Sequence, residues 1–294
     1  MMPEGELGRA QMQFSYYPGC SLHATGQEYD ASTREALAAL GVTLVEIEGW
    51  VCCGASSAHS ASSELALNLP AVNLALAQAA GYGDLLAPCA ACYNRSKVAD
   101  HVLRHEPARR QAVEEAVGFS FTGAVGVRNP LEVVHELIGL EAVHARVAQR
   151  LEGLKVVSYY GCLLVRPPRL IGFDDPEQPK IMNEILRGLG ANVRGWSYAT
   201  DCCGGSLSVP RRDVAARLVT GLVRHAREAG ATAIVTACPL CQMNLEMRQA
   251  DSPPMPVFYF TELMGLAFGL PQAASWWDKH LIDPTGVLDA AGLC

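Results

Sequence analysis

Positive charge is in short supply: 23 Lys and Arg stand against 30 Asp and Glu, for a formal net charge of −7. Binding to phosphate backbones draws on clustered Lys and Arg, so nucleic acid is not expected as the main partner. Long apolar runs are missing too. A spanning helix needs about 18 or more consecutive apolar residues. The most apolar stretch, Leu65 to Ala80, is broken by Asn68, Pro70, Asn73 and Gln78, so no membrane span is expected. The opening Met-Met-Pro-Glu-Gly-Glu-Leu-Gly-Arg-Ala lacks the basic and apolar regions of a secretory signal. A cytoplasmic location is therefore expected, where thiols stay reduced. With 27 Gly and 17 Pro in 294 residues there is no low-complexity signal, and an apolar half is enough for a substantial core. That length suggests two domains or one large one.

What the chain does have is cysteine. Eleven are too few for a small disulfide scaffold and too many to pass over; in a reducing compartment they read as metal ligands or redox centres. With Cys294 set aside, ten fall into two sets of five in the same order. The first is Cys20, then 31 residues, Cys52-Cys53-Gly54, then 34 residues, Cys89-x-x-Cys92. The second is Cys162, then 39 residues, Cys202-Cys203-Gly204, then 33 residues, Cys238-x-x-Cys241. Flanking words repeat as well: Tyr16-Tyr17-Pro18-Gly19-Cys20 answers Tyr159-Tyr160-Gly161-Cys162, and Ala80-Gly81 answers Ala229-Gly230. The repeat is far longer than a solenoid period. A duplicated domain is the simpler reading, with an N-terminal extension over 1–12, a first domain over 13–150 and a second with a C-terminal tail over 151–294.

Each half reads strand, helix, strand, helix, strand, helix. In the first, strands are predicted over Gln13–Tyr17, Val42–Ile47 and Asp84–Ala87, and helices over Tyr29–Leu40, Glu64–Ala80 and Cys92–Arg104. The second half follows with strands over Lys155–Tyr159, Asn192–Trp196 and Ala233–Thr236, and helices over Gln178–Leu189, Arg211–Ala229 and Pro239–Gln249. Such alternation predicts an α/β fold of two tandem pseudo-symmetric domains, each with a small, largely parallel sheet flanked by helices. The cysteines fall where strands end, which is where open α/β sheets place ligands. Both Cys-x-x-Cys pairs open a helix, whose free N–H groups and positive dipole end favour thiolates.

Buried free cysteine packs as a small hydrophobe, and that explains Cys294 but not a patterned ten. Zinc takes four tetrahedral thiolates, and an ordinary cubane iron–sulfur cluster also takes four. A dithiol explains Cys89-x-x-Cys92 alone. Five ligands suit a larger or opened iron–sulfur cluster in which one thiolate bridges or two bind the same iron. Zinc in one half, or pure dithiol chemistry, stays open on the residues themselves.

The doubled pattern resembles the cysteine-rich CCG domain found in the B subunit of heterodisulfide reductase, over about residues 13–270. The wording around Trp50-Val51-Cys52-Cys53-Gly54 and Ala87-Pro88-Cys89 looks like bacterial versions. The resemblance implies a noncubane 4Fe–4S cluster on Cys20, Cys52, Cys53, Cys89 and Cys92, and another on Cys162, Cys202, Cys203, Cys238 and Cys241. It implies a disulfide substrate between them, or thiols or lipoate-bound sulfur handled in reverse. Related cysteine-rich domains occur in thiol:fumarate reductase and in glycolate and lactate oxidation complexes. No Cys-x2-Cys-x2-Cys-x3-Cys-Pro run is present. The resemblance therefore also implies two partners of a heterodisulfide reductase-like complex: a ferredoxin-like protein delivering electrons and a flavin-containing protein behind it. The alternative is a non-catalytic electron-relay subunit of a respiratory or dehydrogenase complex.

Further residues have roles to be tested. His23 and His59 lie near cysteines and are candidate proton donors, or simply hydrogen-bonded loop histidines. Arg95, Lys97, Arg166 and Arg169 are candidates to meet an anionic substrate arm, or solvated charges. His135, His144 and His225 show no ligand spacing and are expected on solvated helix faces. Trp50 and Trp196 precede the Cys-Cys pairs and either shield the centres from water or pack in the core. Trp276-Trp277 is either a docking patch or folded back on its domain.

Overall fold

The computed structural model describes residues 12–55, 58–250 and 253–293. Of the expected N-terminal extension only Met12 falls within them, and Cys294 lies outside.

The β-rich run Met-Gln-Phe-Ser-Tyr forms strand β1 (Met12–Tyr16), which turns into helices α1 (Gly19–Ala24) and α2 (Gln27–Ala38). Strand β2 (Val42–Glu46) then lies parallel to β1, with Met12 opposite Val42. A short helix α3 (Ala58–Ala61) precedes the long α4 (Ser63–Ala80). The Ser62 hydroxyl caps α4 by accepting the Glu64 and Leu65 amides, and Gly81 ends it in the left-handed region. Strand β3 (Leu85–Leu86), helices α5 (Ala90–His105) and α6 (Pro107–Val117), and strand β4 (Val127–Arg128) complete the first half. A connector follows, made of α7 (Pro130–Glu132), a π-helical turn over Val133–Ile138, and α8 (Leu140–Arg146).

The second half repeats the plan. It runs β5 (Lys155–Tyr159), α9 (Pro168–Ile171), α10 (Ile181–Gly188), β6 (Asn192–Val193), α11 (Arg212–Glu228), β7 (Ala233–Thr236), α12 (Pro239–Met247), β8 (Val257–Tyr259) and α13 (Phe260–Ala267). Short helices α14 (Ala273–Trp276) and α15 (Thr285–Ala290) form the tail. The sheets have order β2-β1-β3-β4 and β6-β5-β7-β8, with every pairing parallel. The central strands are buried on both faces, as helix-covered parallel sheets are.

The α/β class and the tandem organisation are as expected. Each sheet also has a fourth strand that the sequence reading missed, because β4 and β8 are two and three residues long and show no periodicity. β6 stops at Val193 rather than Trp196, and the Trp196 indole N–H instead donates to the Ser158 carbonyl at 2.9 Å. α10 starts at Ile181 rather than Gln178 because the Asp174 carboxylate takes the Lys180 and Ile181 amides.

The halves clasp each other through the segments that trail β4 and β8. α8 packs on α10 of the second half, and His135 Nε2 meets Glu184 at 2.9 Å. α13 packs on α2 of the first half, where Ser32 and Thr261 share a hydrogen bond of 2.7 Å. His135 is thus paired across the seam, and His225 is stacked on Tyr198 at 3.9 Å and bonded to Glu228. Neither is free on a solvated face as expected; His144 is exposed.

The tail is part of the core. Trp276 and Trp277 are buried, with Trp277 edge-on to Phe258, so they are not a docking patch. The returning tail also supplies a charge. Five residues after the last cysteine of each set stand Lys97 and Glu246. Lys97 answers the buried Glu132 at 3.8 Å, but Glu246 faces a second buried carboxylate, Glu262. His280 comes back from the tail to lie between them, at 3.2 and 2.9 Å, with all three side chains fully buried. The two carboxylates hold the imidazole pKa up at about 10 despite its burial. Removing one partner of a buried ion pair costs about 3–5 kcal/mol, so His280→Ala should lower the unfolding free energy by about 3 kcal/mol at neutral pH. A folded pKa above the unfolded value of about 6.5 stabilises below that pH. The advantage of wild type over His280→Ala should thus be constant below about pH 6.5 and vanish as pH passes about 10. Denaturant unfolding across this range checks both; equal stability of the two proteins at pH 7 contradicts the pairing.

Candidate functional site

The two cysteine sets are built by matching devices. β1 and β5 lead through Gly19 and Gly161, at φ +71° and +64°, into Cys20 and Cys162. A Cβ on Gly19 would lie 2.8 Å from Cys92 Sγ, and one on Gly161 would lie 3.0 Å from Cys241 Sγ. Glycine is therefore needed at both places for backbone conformation and for the close approach of sulfur. The Tyr17 hydroxyl donates to the Val51 carbonyl at 2.8 Å and the Tyr159 hydroxyl to the Asp201 carbonyl at 2.6 Å. These tyrosines pin the residues that immediately precede Cys52-Cys53 and Cys202-Cys203. Asn73 holds both backbone groups of Val51, and the Asn244 amide donates to the Cys203 carbonyl at 2.6 Å. Cys89 and Cys238 are the N-cap residues of α5 and α12, and Pro239 takes the first helical position as expected.

These constraints bring the thiols together in pairs. Cys20 and Cys52 sulfurs are 3.8 Å apart, Cys53 and Cys92 3.5 Å, and Cys203 and Cys241 3.7 Å. Cys162 hydrogen-bonds Cys202. The two sets come together at the seam between the halves, where Cys89 and Cys238 lie close enough to shift each other's proton affinity in opposite directions. Each set is graded: Cys53, Cys89, Cys92, Cys203, Cys238 and Cys241 are buried, Cys162 is half-buried, and Cys20, Cys52 and Cys202 are exposed. Sharing of protons splits the thiols. A hydrogen bond from Cys92 helps bring Cys53 down to about 7, and one from Cys162 brings Cys202 down to about 6. Cys238 is pushed well down by hydrogen bonds from Cys241 and Cys89, while Cys89 and Cys241 are pushed up.

The seam itself is tyrosine-lined. Tyr29 of the first half stacks on Tyr259 of the second, with ring centres 4.2 Å apart and planes 2° from parallel. The Tyr29 hydroxyl lies 3.4 and 3.3 Å from the carbonyls of Pro88 and Ala237, the residues just before Cys89 and Cys238. Trp50 packs on Tyr17 and Trp196 on Tyr159, outside tyrosines whose own pKa is raised by burial first and by the nearby thiols second. The indoles thus cover the hydroxyl-bearing layer beside the sulfurs, which combines the shielding and packing readings. These tyrosines and asparagines went unnoticed in the sequence; the signal for Tyr17 and Tyr159 was their shared place three residues before the first cysteine of each set.

The remaining candidates divide. His23 is exposed, 3.1 Å from Glu46 and edge-on to Trp50, and His59 is exposed in α3. Neither makes a hydrogen bond to a cysteine among the described residues. Lys97 pairs with Glu132, Arg166 with Glu177 and Thr200, and Arg169 is exposed. Arg95 is different: its charge bears on Cys53, and its buried Nε has no hydrogen-bond partner among the described residues.

Each set offers five thiols, the soft donors that iron–sulfur centres take. Among the described residues, no three Cys, His, Asp or Glu side chains close on one point that would hold a single ion.

The comparisons agree with the duplicated geometry. The cysteine-rich domain (CCG) pattern matches residues 14–95 and 156–246. The chain belongs to this family. It is 32% identical to the 8-methylmenaquinol:fumarate reductase membrane anchor subunit of Wolinella succinogenes, over 94% of this chain and 99% of that one. It is 26% identical to the B subunit of the ferredoxin/F420H2-dependent CoB-CoM heterodisulfide reductase of Methanosarcina acetivorans, over 87% of this chain and 89% of that one. A protein of Archaeoglobus profundus named as like the B subunit of heterodisulfide reductase is 25% identical over 88% of this chain and 91% of that one. A crystal structure of a hypothetical protein from Helicobacter pylori shares the fold, with TM-score 0.72 at 14% identity. This chain spans about half of that chain, 52%, with 92% of its own length. Among the described residues no helix is long and apolar enough to cross a membrane.

A hydrogen bond of this kind is worth about 1 kcal/mol, so Tyr159→Phe should leave the fold intact and loosen the turn before Cys202-Cys203. In the metal-free chain, alkylation of the buried Cys203 should then speed up several-fold while Cys53 is unchanged. Mass spectrometry of labelled peptides reads this; equal acceleration at both cysteines contradicts a local tie.

Proposed function

We propose that this chain is the catalytic subunit of a heterodisulfide reductase-like complex, which reduces a disulfide or, in reverse, oxidises thiols or protein-bound sulfur. The observation that carries this reading is the closeness of Cys89 to Cys238, which brings the two cysteine sets side by side on one seam. Relatives named for the B subunit of heterodisulfide reductase, aligned over most of the chain, support it. The division into 13–150 and 151–294 assigns one cysteine set to each unit.

In this reading Cys20, Cys52, Cys53, Cys89 and Cys92 hold one noncubane 4Fe–4S cluster and Cys162, Cys202, Cys203, Cys238 and Cys241 hold the other. Bound there, such clusters supply electrons and open iron positions for sulfur. The chain's own contribution is to bury the inner thiols, to keep Cys20, Cys52 and Cys202 reachable, and to cover the flanks with Trp50 and Trp196. In this reading His23 and His59, both exposed, pass protons near the outer edge of the first set. The partners in this reading are the ferredoxin-like and flavin-containing proteins of the complex, in the cytoplasm, with a disulfide, thiol or lipoate-bound sulfur as substrate.

A second reading is an electron-relay subunit of a respiratory complex. The relative named as the membrane anchor subunit of a fumarate reductase favours it.

Anaerobic purification with iron and sulfide counts, followed by thiol titration under electron paramagnetic resonance, separates the readings. Two clusters give about eight irons per chain, and the catalytic reading expects a new signal on adding thiol. Full iron with no response to any thiol favours the relay; zinc without acid-labile sulfide removes both. Cys53→Ala and Cys203→Ala should each lose about half the iron, and unchanged iron in both contradicts the ligand assignment.

A further inference from the structure

The duplication provides an internal comparison, and the two sites differ most in charge. Three residues after the last cysteine of each set stand Arg95 in α5 and Asn244 in α12. A residue three places on shares the helix face of that cysteine. Arg95 is half-buried, and its buried Nε lacks a hydrogen-bond partner among the described residues. The neighbouring Lys97 is already answered by Glu132. Asn244 is neutral and fully engaged: its amide donates to the Cys203 carbonyl and its oxygen meets the Ser208 hydroxyl at 2.8 Å. Arg248 lies a turn further along, held by the Ser208 carbonyl and hydroxyl, and Arg166 is paired with Glu177.

The opposite charge stands at the other site. The residue before the first Cys-Cys pair is Val51, and the residue before the second is Asp201. Beside the first set thus stands a cation with no ion-pair partner among the described residues, and beside the second an anion. A cation beside a metal–thiolate centre stabilises its more negative, reduced form, and an anion opposes it. Asp201 is exposed, so its effect is the weaker one.

We infer that the two centres are electronically unequal, with Arg95 making the first easier to reduce than the second. Arg95 acts as a positioning residue for charge, and an electron entering the chain rests first on the centre held by Cys20, Cys52, Cys53, Cys89 and Cys92. This rests on the reading of the two cysteine sets as iron–sulfur centres.

The test is a reductive titration of the anaerobically purified full chain, followed by electron paramagnetic resonance, with iron counted in every sample. Wild type should titrate in two separated steps. Cys203→Ala, which keeps the first centre, should retain the higher step. Arg95→Gln with full iron should shift that step to lower potential, Arg95→Lys should hold it near wild type, and Asp201→Asn should raise the lower step slightly. Coincident steps in wild type overturn the inference, as does Arg95→Gln that keeps its iron with both steps unmoved. An Arg95→Lys shift as large as that of Arg95→Gln overturns it too, because charge is then not the cause. If Arg95→Gln loses iron, Arg95→Lys with full iron and a wild-type higher step supports the inference, and a displaced step overturns it. Wild-type protein without iron contradicts the underlying reading instead.

Discussion

Burying a thiolate is expensive: an ion taken out of water without compensation costs several kcal/mol. Six of the ten patterned cysteines are buried all the same, and two of them, Cys89 and Cys238, meet where the halves join. In the metal-free chain the cost is contained by proton sharing between neighbouring sulfurs. Bound iron would offset part of it, because each thiolate would then have a metal cation to pair with. Much of the architecture serves this concentration of sulfur. Parallel strands end at the seam, Gly19 and Gly161 let the strand ends pass against the last sulfur of each set, and Tyr17 and Tyr159 fix the turns before the paired cysteines.

Duplication explains the plan and divergence explains the details. Replacing the cation of Lys97 by the anion of Glu246 left two carboxylates facing each other in the second half, and His280 returns from the tail to separate them. A similar divergence shows at the seam. The Asn129 amide approaches the Pro88 carbonyl at 3.5 Å, while the equivalent Ala237 carbonyl is reached by Tyr29 of the opposite half. The halves therefore depend on each other at the residues that flank their facing cysteines. A stack of two fully buried tyrosines and a hydrogen bond between Ser32 and Thr261 close the same seam.

Much of this was legible in the sequence because cysteine spacing is a local signal. The ten cysteines, their turn glycines and the helices opened by Cys89 and Cys238 follow from spacing and helix-start rules alone. The four-stranded sheets were not legible, since Val127–Arg128 and Val257–Tyr259 become strands only through pairing with β3 and β7. Nor were the cross-seam roles of Tyr29 and His135, each of which depends on a partner from the other half. Trp276 and Trp277 showed the converse weakness: an apolar pair near a chain end gives no hint of whether it faces out or in, and here it packs in against Phe258 beside the buried His280.

Relatives with different names, a membrane anchor subunit of a fumarate reductase and subunits of heterodisulfide reductase, align over most of the chain. The proposed reading puts two sulfur-held centres at close quarters in this chain. Anomalous diffraction at the iron edge from anaerobically grown crystals tests this most directly. Two separate multi-iron peaks are expected, one on either side of the Cys89–Cys238 contact and each bounded by the five cysteines of its own half. A single ion at that contact, or iron bound away from the cysteines, would contradict the account.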